Sequence, residues 1–115
     1  MTTILPSQDC VTLINTFHVE PERTEALLQL LIDATEDTMR FIPGFISANL
    51  HLSLDRRRVV NYAQWRSPAA FKAMLALPQA LAHMKKAKAL ALSFDPVLYQ
   101  LRHSDDRAPQ EGHRP

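Results

Sequence analysis

Two stretches of alternating residues lie in the middle of the chain, separated by one short polar turn. Residues 45–54 and 59–66 both place apolar side chains at every second position, and Asp55-Arg56-Arg57 connects them. A period of two is typical of strands, and so short a connection predicts an antiparallel hairpin even without an Asn-Gly pair. The hairpin constrains the fold, because the rest of the chain must cover one apolar face of the sheet that it begins.

A strand and a helix flank the hairpin on each side. The first strand is rich in β-branched and aromatic residues, and Glu20-Pro21 leads from it into an amphipathic helix. Ser67-Pro68 begins a second helix, since serine caps free amides and proline suits the first turn; Pro78 interrupts that helix. The predicted elements are a strand at 11–19, a helix from Glu22 to Met39, the hairpin strands, helix pieces from Pro68 and from Gln79 to Leu92, and a last strand at 97–102.

This βαββαβ order predicts an α+β fold of the ferredoxin-like type, an antiparallel sheet with helices on one face. The other face would carry Thr12, Ile14, Phe45 and Tyr62, which are too apolar to leave in water. We therefore expect a homodimer in which two sheets pack together as a dimeric α/β-barrel.

The length of 115 residues gives room for one domain. We expect an N-terminal arm at 1–10, a folded domain at 11–102, and a flexible C-terminal tail at 103–115, where almost nothing apolar is available to bury.

Composition argues against several classes of partner. Thirteen Lys and Arg residues against twelve Asp and Glu residues leave a formal charge of +1, so binding to nucleic acid or to an anionic membrane is not expected. No stretch reaches the ~18 apolar residues of a membrane span, which favours the cytoplasm. Cys10 is the single cysteine and the chain has two glycines, so we expect no disulfide, no metal site and no nucleotide cofactor.

Two asparagines interrupt strand faces that are otherwise apolar. Asn15 shares a face with Leu13 and Phe17, and Asn61 shares one with Trp65. We expect the first and third strands to lie side by side and parallel, so that both amides project toward the helices. A buried amide without partners costs roughly 1–3 kcal/mol. Either the asparagines bond to one another or to helix ends, or they converge with the Trp65 indole on a flat, mostly apolar ligand.

Three stretches resemble the antibiotic biosynthesis monooxygenase family: residues 13–19, the Pro-Gly-Phe turn within 42–48, and the Asn-Tyr-Ala-Gln-Trp strand within 59–67. The resemblance covers most of residues 11–102 and is nearest to the small quinone-forming oxygenases of aromatic polyketide pathways. It implies a homodimer that oxidises an anthrone-like or phenolic ring to a quinone with O2, without metal, flavin or haem.

The resemblance also implies roles for particular residues. Asn15, Asn61 and Trp65 would be catalytic, with the amides holding substrate oxygens in the manner of an oxyanion hole. Trp65 would orient the ring or donate to a peroxy intermediate. A general base stays open between His83, Lys85 and ionisation of the substrate in water. Phe71 stands where related enzymes have a tyrosine, so the protonation route differs. The expected substrate-binding residues are Phe17, Phe71, Met74, His83 and Lys85.

Two alternatives stay open. A haem-degrading monooxygenase of the same superfamily would use His83 as axial ligand, although the helix after Trp65 lacks the second tryptophan that those enzymes place over haem. A non-catalytic, small-ligand-binding relative would have a closed core in which Asn15 and Asn61 pair.

Overall fold

The computed structural model describes residues 10–107. Apart from Cys10, the predicted N-terminal arm lies outside this range, as does the end of the predicted tail from residue 108. The predicted βαββαβ order is confirmed, with the second helix divided at Pro78. The elements are β1 (Val11–His18), α1 (Thr24–Asp37), β2 (Phe45–Leu52), β3 (Arg58–Trp65), α2 (Pro68–Leu75), α3 (Pro78–Leu90) and β4 (Ser93–Tyr99).

The sheet has the strand order β2-β3-β1-β4, and every neighbouring pair is antiparallel. The expectation that the first and third strands run parallel was wrong. Helix α1 carries the chain back, so β1 and β2 run in the same direction, and β3 returns through the hairpin to lie between them. The face assignment does not depend on direction, and Asn15 pairs directly with Asn61 across β1 and β3.

A β-bulge at the start of β2 changes which face Phe45 occupies. Phe45 pairs with Trp65 and Ser47 pairs with Gln64, so Ile46 is an extra residue in the ladder. Strict alternation placed Phe45 on the outer face, and this was wrong. The bulge turns the ring under the helices, where it packs edge-on against Trp65 with ring centroids 5.5 Å apart.

The last strand begins earlier than its sequence suggests. Helix α3 ends at Leu90 and β4 runs over Ser93–Tyr99, whereas a strand at 97–102 was expected because Asp95-Pro96 is typical of a break. Proline is tolerated here because β4 is an edge strand, where an amide can be missing from the ladder without disrupting a central pair.

The Pro-Gly-Phe turn fixes α2 against the sheet. Gly44 has φ +91°, and a Cβ on it would lie 2.4 Å from the Cβ of Ala70 in α2. The amide of Arg66 donates to the carbonyl oxygen of Gly44 at 2.8 Å. The predicted cap is confirmed, because Ser67 Oγ accepts from the amide of Ala70 at 3.1 Å.

Two apolar clusters hold the helices on the sheet. One is built around Leu13, Trp65 and Met74, and the other around Phe17 and Leu27. Members of both clusters border a single cavity between sheet and helices. Among residues 10–107, no helix is long and apolar enough to span a membrane.

Candidate active site

A cavity of about 370 Å³ lies between the concave face of the sheet and the three helices. Strands β1 and β3 supply its floor, and α1, α2 and α3 supply its roof. Its walls are mainly aliphatic, aromatic and methionine side chains, with a few polar groups at separate points. This composition is typical of a site for a small, largely apolar ligand. The polar and charged residues that border it are Asn15, Thr35, Asn61, His83 and Lys88, together with the indole of Trp65.

Asn15 and Asn61 both border the cavity, but their amides have different partners. Asn15 Oδ1 accepts a hydrogen bond from the backbone amide of Asp95 in β4 at 3.1 Å. Asn61 Oδ1 is buried and has no hydrogen-bond partner among residues 10–107. The two side chains therefore do not satisfy each other, which contradicts the closed-core alternative. Asn15 is partly used by the fold, whereas Asn61 holds a polar atom that the fold does not use.

The indole of Trp65 is held rigidly at the end of β3. The residue is 2% exposed, and its ring packs edge-on against Phe45 and against Phe71, with the latter centroids 6.1 Å apart. Edge-to-face packing on two sides restricts the rotation of the ring. Its Nε1–H finds no acceptor among residues 10–107, so a donor in a fixed direction is available at the cavity.

His83 borders the cavity from α3. Its Nε2 lies 3.1 Å from Thr38 Oγ1, at the end of α1. Its Nδ1 is buried, and no described residue forms a hydrogen bond with it. His83 is therefore anchored through one nitrogen and unpartnered at the other.

Of the basic residues on α3, Lys88 borders the cavity and Lys85 does not. The prediction of Lys85 as a site residue is not supported by its position. Successive helical residues are 100° apart, so Lys85 points to nearly the opposite side of α3 from His83. Lys88 follows Met84 by four positions and therefore lies about 40° from that residue, which also borders the cavity. The ammonium group of Lys88 forms no ion pair with any described residue.

The remaining predicted residues lie on the cavity wall. Phe17 stacks on Phe94 of β4, with ring centroids 6.1 Å apart, and Met74 is buried beneath α2. Phe71 borders the cavity beside Trp65. Their contribution to ligand binding stays a prediction.

Lys88, Phe45 and Thr38 are among the residues of the site that were missed from the sequence. Lys88 could have been found from its spacing of four residues after Met84, which also borders the cavity. Phe45 was missed because a bulge leaves no clear pattern in one sequence. Thr38 follows the last residue of α1, and no local signal links it to His83, which is 45 positions away.

No cluster of three or more His, Cys, Asp or Glu side chains suited to a metal ion occurs within residues 10–107. In the described range, the polar groups carried by the residues that border the cavity are amides, a hydroxyl group, an indole, an imidazole and an ammonium group.

Fold and site together define the class of protein. The family model for antibiotic biosynthesis monooxygenases matches residues 10–86, more than half of the chain, and the chain belongs to that family.

Several relatives have names or solved structures. The chain is 44% identical over 112 residues to tetracenomycin-F1 monooxygenase of Streptomyces glaucescens, covering 97% of this chain and 99% of that protein. A monooxygenase from the gene ActVA-Orf6 of Streptomyces coelicolor, solved with nanaomycin D, is 28% identical, with a TM-score of 0.79 over 90% of this chain and 96% of that one. SnoaB of Streptomyces nogalater, described as a cofactor-independent oxygenase, is 28% identical, with a TM-score of 0.70 over 84% of this chain and 96% of its own.

Proposed function

We propose that this protein is a cofactor-independent monooxygenase that oxidises an anthrone-like, phenolic ring of an aromatic polyketide to a quinone with O2. One observation carries the proposal: an apolar cavity of about 370 Å³ holds polar groups that no described residue satisfies. The names of the relatives support it, since one is a tetracenomycin-F1 monooxygenase and another is a cofactor-independent oxygenase.

The reaction needs only the substrate and O2. A base removes a proton from the phenolic ring system, and the resulting enolate supplies electrons to O2. A carbon–oxygen bond then forms at the ring methylene to give a peroxide. Loss of water from the protonated peroxide leaves a new carbonyl group. The ring CH2 and O2 thus become C=O and H2O, and the substrate itself is the reductant.

The two asparagines are assigned to the substrate oxygens. With Oδ1 of Asn15 bonded to the Asp95 amide, its Nδ2 is left to donate to the enolate. Asn61 has an amide whose Oδ1 is bonded to none of the described residues, so it can accept from a phenolic O–H while its NH2 group donates. Donors aimed at developing negative charge in a site that excludes water are worth far more than in solution.

Trp65 is assigned to the ring and to the peroxide. Its N–H is a donor only, and its packing between Phe45 and Phe71 fixes where that donor points. Because Phe71 has no hydroxyl group, it cannot supply the proton to the peroxide. The indole can stabilise the peroxide anion, and the proton must come from another group.

His83 is assigned as the base, because the residue borders the cavity and its buried Nδ1 has no partner among the described residues. The imidazolium that it forms can return the proton to the peroxide, which is the step that Phe71 cannot perform. Lys88 is assigned to attracting an anionic substrate, since it is the residue with a full positive charge on the described cavity wall. Phe17 and Met74 would contact the faces of the rings.

We also propose that the protein is a homodimer that acts in the cytoplasm. The outer face of the sheet carries half-buried Ile14 and Tyr62, and Tyr99 is 48% exposed. These side chains suit burial against a second copy of the sheet. Sedimentation at micromolar concentration should give twice the mass of the chain, and a monomer mass would exclude the dimer.

The haem-degrading alternative needs His83 to ligate iron. Thr38 Oγ1 lies 3.1 Å from Nε2, Nδ1 is buried, and the described walls of the cavity that His83 borders include Trp65 and Phe71. We expect no Soret shift on titration with haem. A shift that disappears in His83→Ala would favour the alternative.

The proposed function is tested with dithranol, an anthrone, and protein stripped of metal by a chelator. Under ¹⁸O2 the product should be the quinone carrying one ¹⁸O atom, with one O2 consumed for each quinone formed and no H2O2 released. Stoichiometric H2O2 would indicate an oxidase, and activity that returns only with added metal would contradict the proposal.

A further inference from the structure

Thr38 is the residue that follows α1, and a hydrogen bond to the last turn of the helix holds its backbone in place. Its amide donates to the carbonyl oxygen of Ala34 at 3.1 Å, and its φ and ψ of −132° and −61° have already left the helical region. Its hydroxyl group is 3.1 Å from His83 Nε2 and makes no other hydrogen bond in the described range. A backbone-anchored hydroxyl group is therefore dedicated to this imidazole.

The neutral imidazole of His83 has one donor and one acceptor, and Thr38 can bind either form of Nε2. If Nδ1 carries the proton, a buried N–H is left without an acceptor, which is rare in folded proteins. If Nε2 carries it, Thr38 accepts a hydrogen bond from Nε2–H, and Nδ1 keeps a free lone pair on a residue that borders the cavity. Only the second arrangement also suits the imidazolium, because both of its nitrogens are donors and Thr38 must then accept.

We propose that Thr38 is a positioning residue that fixes the Nε2–H tautomer of His83, so that Nδ1 is the base that takes the proton from the substrate. The inference rests on the proposed function for the identity of the proton donor. In this step the phenolic or enolic O–H bond breaks, an N–H bond forms at Nδ1, and the electron pair stays on the substrate oxygen. The same proton then passes from Nδ1 to the peroxide, which restores the neutral tautomer.

Few other titratable groups face His83. Lys88 borders the same cavity on α3. The lining residues from α1 and α2 are uncharged, as are those from the strands, including Asn15, Asn61 and Trp65. Asp37 precedes Thr38 but is exposed to solvent. Lys88 is thus the group, besides the substrate, whose charge must be held constant in a pH experiment.

The tautomer can be read directly by ¹⁵N NMR of the imidazole in the full chain, without substrate. Wild type and Thr38→Ser should show the Nε2–H form for His83, and Thr38→Val should lose that preference. An Nδ1–H form in the wild type, or an unchanged spectrum in Thr38→Val, would overturn the proposal. This readout is independent of whether the protein oxidises dithranol, so it separates failure of this inference from failure of the proposed function.

The pH dependence of kcat/KM for dithranol gives the second readout. Thr38→Val should lower kcat/KM by roughly 10-fold, which is part of the ~10²–10⁴-fold that general-base catalysis contributes. Its low-pH limb should move toward lower pH, because the imidazolium loses its acceptor at Nε2. Thr38→Ser should restore both the rate and the position of the limb. A lower rate with an unmoved limb would mean that Thr38 is merely structural, and would contradict the proposal.

Discussion

Replacing each cavity asparagine with leucine should change stability in opposite directions. Asn61 Oδ1 is buried without a partner in the described part of the chain, whereas Asn15 Oδ1 accepts from the Asp95 amide. The two residues pair directly across β1 and β3 and border the same cavity, so each is a matched control for the other. Leucine is close to asparagine in size and can hydrogen-bond to nothing.

The expected magnitudes follow from these partners. Asn61→Leu removes an unsatisfied buried oxygen, which costs roughly 1–3 kcal/mol, so the variant should be more stable by about that amount. Asn15→Leu removes one ordinary hydrogen bond and should be less stable by roughly 0.5–1.5 kcal/mol. For a chain of this length, 1 kcal/mol corresponds to roughly 4 °C in Tm, so the two variants should differ clearly.

The assay is urea unfolding followed by tryptophan fluorescence, with oxygen uptake on dithranol measured on the same samples. Asn61→Leu should be more stable and nearly inactive, which is the behaviour of a residue kept for function at a cost in stability. A loss of stability in Asn61→Leu equal to that in Asn15→Leu would refute the reasoning, because Asn61 would then be a structural residue.

Three further predictions concern Gly44 in the turn before β2, Lys88 on the cavity wall, and Asp55 in the hairpin between β2 and β3. Gly44→Ala should lower the free energy of unfolding by roughly 2–4 kcal/mol, because the new methyl group overpacks against Ala70 and because alanine disfavours the positive φ. Adding Ala70→Gly should recover only the part that is due to overpacking, and full recovery would contradict the role of φ. Lys88→Met should raise KM for an anionic phenol by about 2- to 5-fold, as expected for loss of an exposed charge. The control Lys86→Met, on the outer side of α3, should leave KM unchanged. Equal effects of the two substitutions would exclude a specific role of Lys88 in attracting the substrate. Hydrogen bonds from Ser53, and then from the Arg57 amide, hold the pKa of Asp55 below its ordinary value of 3.8. The contribution of Asp55 to folding stability is therefore present above that value and is lost as pH falls through the folded-state pKa. Asp55→Ala should be less stable than wild type at pH 7, and the difference should vanish in strong acid.

Periodicity was sufficient to predict the elements and the floor of the site. The alternation in β1 and β3 gave Asn15, Asn61 and Trp65 a common face, and this does not depend on whether the strands run parallel or antiparallel. Ser67-Pro68 predicted the start of α2, because the cap is a local interaction between neighbouring residues. Such features are determined by a few adjacent side chains, which a single sequence displays.

Features that depend on tertiary packing could not be predicted in this way. The bulge that turns Phe45 inward depends on the register between β2 and β3, and Pro96 is acceptable only because β4 is an edge strand. The sequence pointed to Lys85 and missed Lys88, because how α3 packs on the sheet determines which of its faces borders the cavity. The contact between Thr38 and His83 joins the end of one helix to another helix, and no local pattern records it.

If the proposed function is right, metal-free protein speeds the transfer of electrons from the substrate to O2, and the hydrogen-bond donors of Asn61 and Trp65 contribute to that rate. The most direct measurement is the rate of dithranol-dependent oxygen uptake by chelator-treated wild type, Asn61→Ala and Trp65→Phe, each corrected for uncatalysed oxidation. We expect wild type to be active and both variants to be slower, with Asn61→Ala reduced on the order of 10²-fold, as for loss of one oxyanion-hole donor. Undiminished rates in both variants would contradict the assignment of the site.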